Sequence, residues 1–502
     1  MIDRNNIRNM RQLLEALEAE LTGRRLIRYM EGMEVRDVPS EQFFEQIRKM
    51  ARGLEDRNLR GRHIGIIGKN SYEWLVSLCA VFWAGAVAVL LDWESSSDTI
   101  SDTAVRVELE AILCDKVTEE NVRQTDLSQN VQVISMGRIL EDQSRYEEVL
   151  YKEETASGAQ SGLEDLSCIF FTSGTTGKSK AVMLSERGMI SSVCAELNTC
   201  KFKSLLAIVP FHHMSGFVTV LNTFYLGKEV CIADELKYFY RYLKELKSDY
   251  VFVVPSMFKM LAKKLKKGGS HGKNLGWDLH FIACGGAAFY PEFLQTIKEQ
   301  DITVLQTYGA SEAGAIGFMN EMTFERPDTI GKPPACLETK IVNDELYLRS
   351  ESVMMGYYKD SEETKKVLND GWYATGDLCR MDDEGYYYLT GRRKNLIILS
   401  NGENVSPEEI ERKLSVCEEI AEIMVGVEQD LITAVIYPNY LAGLDEESKR
   451  EIKEEIEQKI AEYNSGSPIY KQIQIVHFLE EPFAKTAVGK IIRGSVTGGE
   501  QL

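Results

Sequence analysis

The sequence predicts an α/β fold: a large, multi-layered N-terminal domain built on mainly parallel sheets, followed by a small α+β C-terminal domain. Three observations carry that prediction. Short β-rich runs alternate with helical patterns up to about residue 390, the rhythm of strands joined by helical crossovers. Near residue 391 the texture changes to turns, short strands and charged helix. And 502 residues, 44% hydrophobic and 27% charged, describe a globular chain long enough for two or more domains. We place the boundary between 1–393 and 394–502.

Taken in order, the strand candidates are "HIGIIG", "AVAVLLD", "EAILCD", "VQVISM", "SCIFFTS", "EVCIAD", "YVFVVPS", "LHFIACGG" and "TVLQTYG". Amphipathic segments such as "YFYRYLKELKS" and "SMFKMLAKKLKK" lie between several of them. The uncharged stretch from Leu75 to Leu91 approaches the length of a membrane span. Helical spacing of Trp74, Leu78, Val81 and Phe82 stops at Gly85, however, and a buried strand follows, so two soluble elements are expected. In the last part, "TGRRKNLIILSNGENVSPEEIERKL" reads as turn, strand, turn and helix. Pro407 and two glutamates open that helix. "AEIMVGVE" and "LITAVIYP" follow as strands, and "EESKREIKEEIEQKI" as a charged helix.

Several function classes are disfavoured at once. A net charge of −19 argues against nucleic acid or an anionic membrane as partner. The ten cysteines show neither C-x-x-C spacing nor a histidine cluster, as expected of reduced thiols in a cytoplasmic protein. "MIDRNNIRNM" has no apolar signal core. The basic run Lys259–Lys267 reads chiefly as a solvated helix face.

The chemistry gathers at loops that follow strands, where α/β proteins place their sites. "FFTSGTTGKSKAVML", Phe170–Leu184, is rich in hydroxyls, glycine and lysine, which suits a nest of N–H groups around polyphosphate. It is not a Walker A loop, because Gly174 stands too near Gly177. "QTYGASEAG" sets an aromatic, a hydroxyl and Glu312 together; that carboxylate suits a hard cation such as Mg²⁺. "WYATGDL" holds Asp377 in a glycine turn, where it could accept both ribose hydroxyls. "AKTAVGKIIR" offers Lys490 near the chain end.

In combination and order these stretches, with "VPFHHMSGF", "ACGGAAF" and "GRRKNLIILSNGENVSPEEIE", closely resemble the adenylate-forming superfamily of acyl-CoA synthetases, peptide-synthetase adenylation domains and luciferases. The resemblance runs from about Gly61 to Arg493. It implies that a carboxylate attacks the α-phosphate of ATP to give an acyl-adenylate, from which a thiol displaces AMP. Both nucleophiles come from substrates, so the protein positions them and stabilises charge.

By resemblance, Thr172, Ser173, Gly174, Thr175, Thr176, Gly177, Lys178 and Lys180 contact the phosphates. Gly285, Gly286 and Ala287 line the adenine and acyl pocket, and Tyr308 packs on adenine. Ser311 touches the α-phosphate, and Glu312 with Thr172 holds Mg²⁺. Asp377 and Arg392 bind ribose, while Lys490 bridges carboxylate and α-phosphate. His213 walls the acyl pocket; His212 beside it is the other choice. Lys394 is the hinge of a mobile small domain, and Gly402 lies where a pantetheine arm passes. Ser179, Ala181, Ser311 and Ala484 depart from the usual Pro, Gly, Thr and Pro, each with size or hydroxyl kept.

The stretch 211–216 lacks the aspartate that pairs an amino-acid ammonium, so a non-amino acid is expected. "SVMMGYYKD" and the "GRRKN" stretch look most like bacterial medium- and long-chain acyl-CoA synthetases, which points to a fatty or other non-amino acid. The span from Tyr308 to Thr375 leaves little room for the insertion of fatty acyl-AMP ligases, so CoA is the expected acceptor. The alternative is a ligase that loads a carrier protein's phosphopantetheine.

Overall fold

The computed structural model describes residues 2–127, 131–141, 161–172, 179–196, 200–267, 275–287, 289–440, 445–484, 491 and 493. Alternating side chains explain how its layers stack. In the strands His63–Ile67, Val87–Leu91 and Ala111–Cys114, residues 64, 66, 88, 90, 111 and 113 turn into one core. Residues 67, 87, 89, 91, 112 and 114 turn into another on the opposite face. The strands Ser204–Ala207 and Glu229–Ile232 do the same in a second sheet, sharing the first core through residues 205, 207, 230 and 232. Both sheets are therefore covered on both faces, which is why their strands read as unbroken apolar runs.

The first sheet has seven strands, in spatial order Gly356–Tyr357, Lys180–Ser185, Leu166–Thr172, Val87–Leu91, His63–Ile67, Ala111–Cys114 and Gln132–Ser135. It is parallel except where Lys180–Ser185 turns back on Leu166–Thr172 and takes Gly356–Tyr357 on its other edge. The second sheet has eight strands and is parallel but for one antiparallel strand at each edge. Between the two lie Met10–Leu21, Ser40–Glu55, Tyr72–Trp83 and Met214–Tyr225, all helices contributing to the shared core. The Leu75–Leu91 stretch thus divides into helix and strand about Gly85, and no helix among the described residues is long and apolar enough to cross a membrane.

All nine expected strands are present. A third sheet, antiparallel and without a counterpart among the strand candidates, runs from Glu338–Val342 through Glu345–Arg349 and Trp372–Met381 to Tyr387–Arg392.

The smaller C-terminal domain has a core of its own around Val405, Ile410, Ile432 and Ile456. Ile420–Glu428 and Leu431–Pro438 pair antiparallel, Ile475–Phe478 adds in parallel, and the helices Pro407–Leu414 and Glu446–Ser465 cover them. Ile410 is fully buried there. Ile410→Ala should cost about 2–5 kcal/mol, seen in calorimetry as an earlier transition for this domain while the large domain's midpoint stays put.

Candidate active site

The carboxyl ends of the large sheets, the third sheet and the start of the small domain enclose one cleft of about 2460 Å³. Thr172, Lys180, His213, Gly285, Gly286, Ala287, Tyr308, Ser311, Glu312, Asp377, Arg392 and Lys394 all line it. Ser173, Gly174, Thr175, Thr176, Gly177, Lys178 and Lys490 lie outside the described residues. Gly402 does not line the cleft; it sits exposed in the turn between Ile397–Ile398 and Asn404–Val405.

Asp377 organises one end of the cleft. Sheet register sets it opposite Arg392, whose Nε lies 2.6 Å from its Oδ1. The Tyr308 hydroxyl, from the neighbouring sheet, donates to Asp377 Oδ2 at 2.6 Å. Burial and the adjacent carboxylate push that hydroxyl well up from the usual tyrosine range, so it remains a donor. Tyr308 was expected to act through its ring; its hydroxyl is engaged as well, while the ring packs edge-on against Phe318 at 5.7 Å.

The turn that aims Asp377 depends on Gly376, at φ +71. Its N–H donates to Glu345 Oε1 at 3.0 Å, and Thr375 Oγ1 accepts from Asp377 N–H at 3.0 Å. Glu345, nearly buried, also receives Arg393 at 2.5 Å. Sequence reading missed Glu345, because a lone acid opening "ELYLR" carries no sign of partners a sheet away.

Glu312 stands in a single turn just after the strand Thr303–Tyr308. The Tyr357 hydroxyl donates to its Oε1 at 3.2 Å, and Met354 N–H to its carbonyl at 2.8 Å. Gly314 completes that turn at φ +68; a Cβ there would lie 2.6 Å from both the Ser352 carbonyl and the Ser192 hydroxyl. The "EAG" of the motif is thus a packing requirement as well as a turn. Glu312 and Thr172 are hard oxygen donors on one cleft, a set that fits Mg²⁺ completed by phosphate oxygens and water. Among the described residues no group of three or more His, Cys, Asp or Glu could cage a metal without such help.

Thr172 and Lys180 face each other across the paired strands. The Lys180 ammonium is held by Glu363 at 2.8 Å and lies 4.7 Å from the Tyr357 ring centre, partners that no local pattern announces. Arg106 donates to the Ser179 carbonyl at 2.8 Å and stacks over Phe171.

His213 is the residue just before the helix Met214–Tyr225, its ring 4.2 Å from that of His212. Lys394 lines the cleft with its side chain exposed; partial desolvation, then Arg392 and Arg493, push its ammonium down. Of the basic run, Lys259 and Lys263 line the cleft while Lys264 and Lys266 are solvated.

A cleft that offers an acid–arginine pair beside a hard-cation carboxylate suits a nucleoside triphosphate. Comparison with known proteins agrees. Residues 32–358 match the family described as AMP-binding enzyme, and 394–498 match AMP-binding enzyme C-terminal domain. A 2-succinylbenzoate–CoA ligase of Oceanobacillus iheyensis is 27% identical over 469 residues, which is 90% of this chain and 92% of that protein. One from Staphylococcus epidermidis is 30% identical over 358 residues, 68% of this chain and 71% of the other. Among solved structures, O-succinylbenzoate coenzyme A synthetase from Bacillus subtilis, in complex with ATP and magnesium ion, superposes with a TM-score of 0.77 at 22% identity, covering 98% of this chain and 99% of that one. These relatives are named for 2-succinylbenzoate, so the expected place in fatty acid metabolism is not supported.

Proposed function

Because the chain belongs to the AMP-binding enzyme family, we propose that it is an ATP-dependent acid–CoA ligase, acting in the cytoplasm on a carboxylic acid that is not an amino acid. The observation that carries this reading is Asp377, held between Tyr308 and Arg392 on the cleft that Glu312 and Thr172 also line. Support comes from curated relatives that share most of the chain's length and are named as CoA ligases.

In this reading a carboxylate oxygen of the acid forms a bond to the α-phosphorus of ATP, and the bond to the β-phosphate oxygen breaks, releasing pyrophosphate. The thiol sulfur of CoA then attacks the acyl carbon; AMP leaves with the electron pair and the thiol proton passes to solvent. Asp377 accepts the ribose hydroxyls while Arg392 and Tyr308 keep its carboxylate in place. Thr172, Lys180 and residues 173–178 bind the β- and γ-phosphates, and Ser311 the α-phosphate. Glu312 and Thr172 would hold Mg²⁺, which when bound offsets charge on the phosphate oxygens. Lys490 bridges the reacting carboxylate and the α-phosphate. Gly285, Gly286, Ala287 and His213 wall the adenine and acyl groups, Lys394 is the hinge and Gly402 borders the thiol's path, with the large domain ending at 393.

Incubation with ATP, Mg²⁺ and a panel of aromatic, aliphatic and amino acids, with and without CoA, tests the reading by mass spectrometry. AMP and an acyl-CoA from one class of non-amino acid are expected. Adenylate without CoA turnover would move the acceptor to a carrier protein, and silence with every acid would overturn the assignment.

A further inference from the structure

His212 is 6% exposed, yet it lines the cleft. Neither of its ring nitrogens meets a hydrogen-bond partner among the described residues. Burial pushes its pKa down to about 4, so the ring is neutral at pH 7, with one N–H and one lone pair. Its nearest charged neighbour is Asp92, at the end of the strand Val87–Leu91, with Oδ1 3.6 Å from Nε2. That distance is too long for a hydrogen bond, but the carboxylate's field favours the proton on Nε2. Asp92 is itself fixed, since Oδ1 accepts from Glu94 N–H at 3.0 Å. Nδ1 is therefore a buried acceptor on a residue that lines the cleft, one position before His213 and the helix whose Val218 and Thr219 also line it.

A buried acceptor without a donor is costly, and structures supply one where they can. Resting on the ligase reading above, we propose that His212 sets substrate choice: Nδ1 accepts a hydrogen bond from a neutral O–H or N–H carried by the acyl part of the acid. The substrate class is then a carboxylic acid with a hydroxyl or uncharged amine substituent. A second carboxylate offers no donor and would face Asp92. A charged group of either sign would lose its hydration for a single neutral acceptor.

The test uses matched acids that differ only as hydroxyl against methoxy, on benzoate rings and on alkyl chains, with 2-succinylbenzoate alongside. Methoxy can accept but not donate. In the wild type the best hydroxy acid should exceed its methoxy partner by ~10–100-fold in kcat/KM, and in His212→Phe the ratio should collapse towards one. Equal use of both partners, a ratio unchanged in His212→Phe, or selection of 2-succinylbenzoate would each overturn the proposal. Binding of the same acids with a non-hydrolysable ATP analogue, followed by calorimetry, separates the two readings. Donor-selective binding without turnover would keep this inference and sink the ligase; turnover without donor selectivity would do the reverse. Should the variant fail to fold, ¹⁵N-labelled histidine in the wild type decides: the His212 Nδ1 resonance shifts with the hydroxy acid and not with its methoxy partner, or the proposal is wrong.

Discussion

Asp377→Ala is expected to lower kcat/KM for ATP by roughly 10²–10³, because in the proposed function it removes a preorganised contact with the nucleotide and releases the two groups that hold the carboxylate in place. Arg392 loses the carboxylate 2.6 Å away, and the part-buried Tyr308 hydroxyl loses its acceptor. Leaving that hydroxyl unpaired costs about 1–3 kcal/mol of stability, a smaller effect that should be visible without nucleotide. The diagnostic readout is the thermal shift on adding ATP, which reports binding to the folded state alone. It should largely vanish in Asp377→Ala and survive partly in Asp377→Asn, whose amide can still accept from Tyr308. An ATP-induced shift as large as the wild type's would remove Asp377 from the nucleotide site.

The other large effect belongs to Lys490→Ala. Adenylate formation should fall by roughly 10²–10³, while ATP binding and thioester formation from preformed acyl-adenylate continue. Ile491 and Arg493, one and three positions after Lys490, line the cleft, and Arg493 is tied to Glu411 of the small domain's first helix. The small domain thus brings Ile491 and Arg493 to the cleft. Half-reactions measured separately give the answer, and equal loss of both would show that Lys490 serves the fold rather than the first step.

Particular elements show what could be read in advance. "AVAVLLD" and "EAILCD" were legible because strands covered on both faces leave no polar positions to interrupt them. The strand Glu338–Val342 was not legible, since its side chains alternate between exposed and half-buried and the sequence "ETKIV" has no apolar run. In the site, Asp377 announced itself through a glycine turn that only certain residues can make. The partner of Lys180 could not, because Glu363 comes from a helix that sheet pairing at Gly356–Tyr357 brings alongside. Local sequence encodes turns and strands well, and it does not encode which distant acid will meet a given base. The 211–216 stretch shows the same limit: it carries no acid, yet the fold sets Asp92 beside His212.

The helix Tyr72–Trp83 and the strand after it have a consequence for synthesis on the ribosome. Trp74 rests on Phe211, and Val87–Leu91 takes its neighbour from Leu166–Thr172. The helix Met214–Tyr225 completes the same core. At ~5–20 residues per second, an emerging chain therefore keeps its most greasy segment waiting on the order of 10 s for those partners. The stretch that passes for a membrane span in the sequence is, during translation, the part most in need of a chaperone's grip.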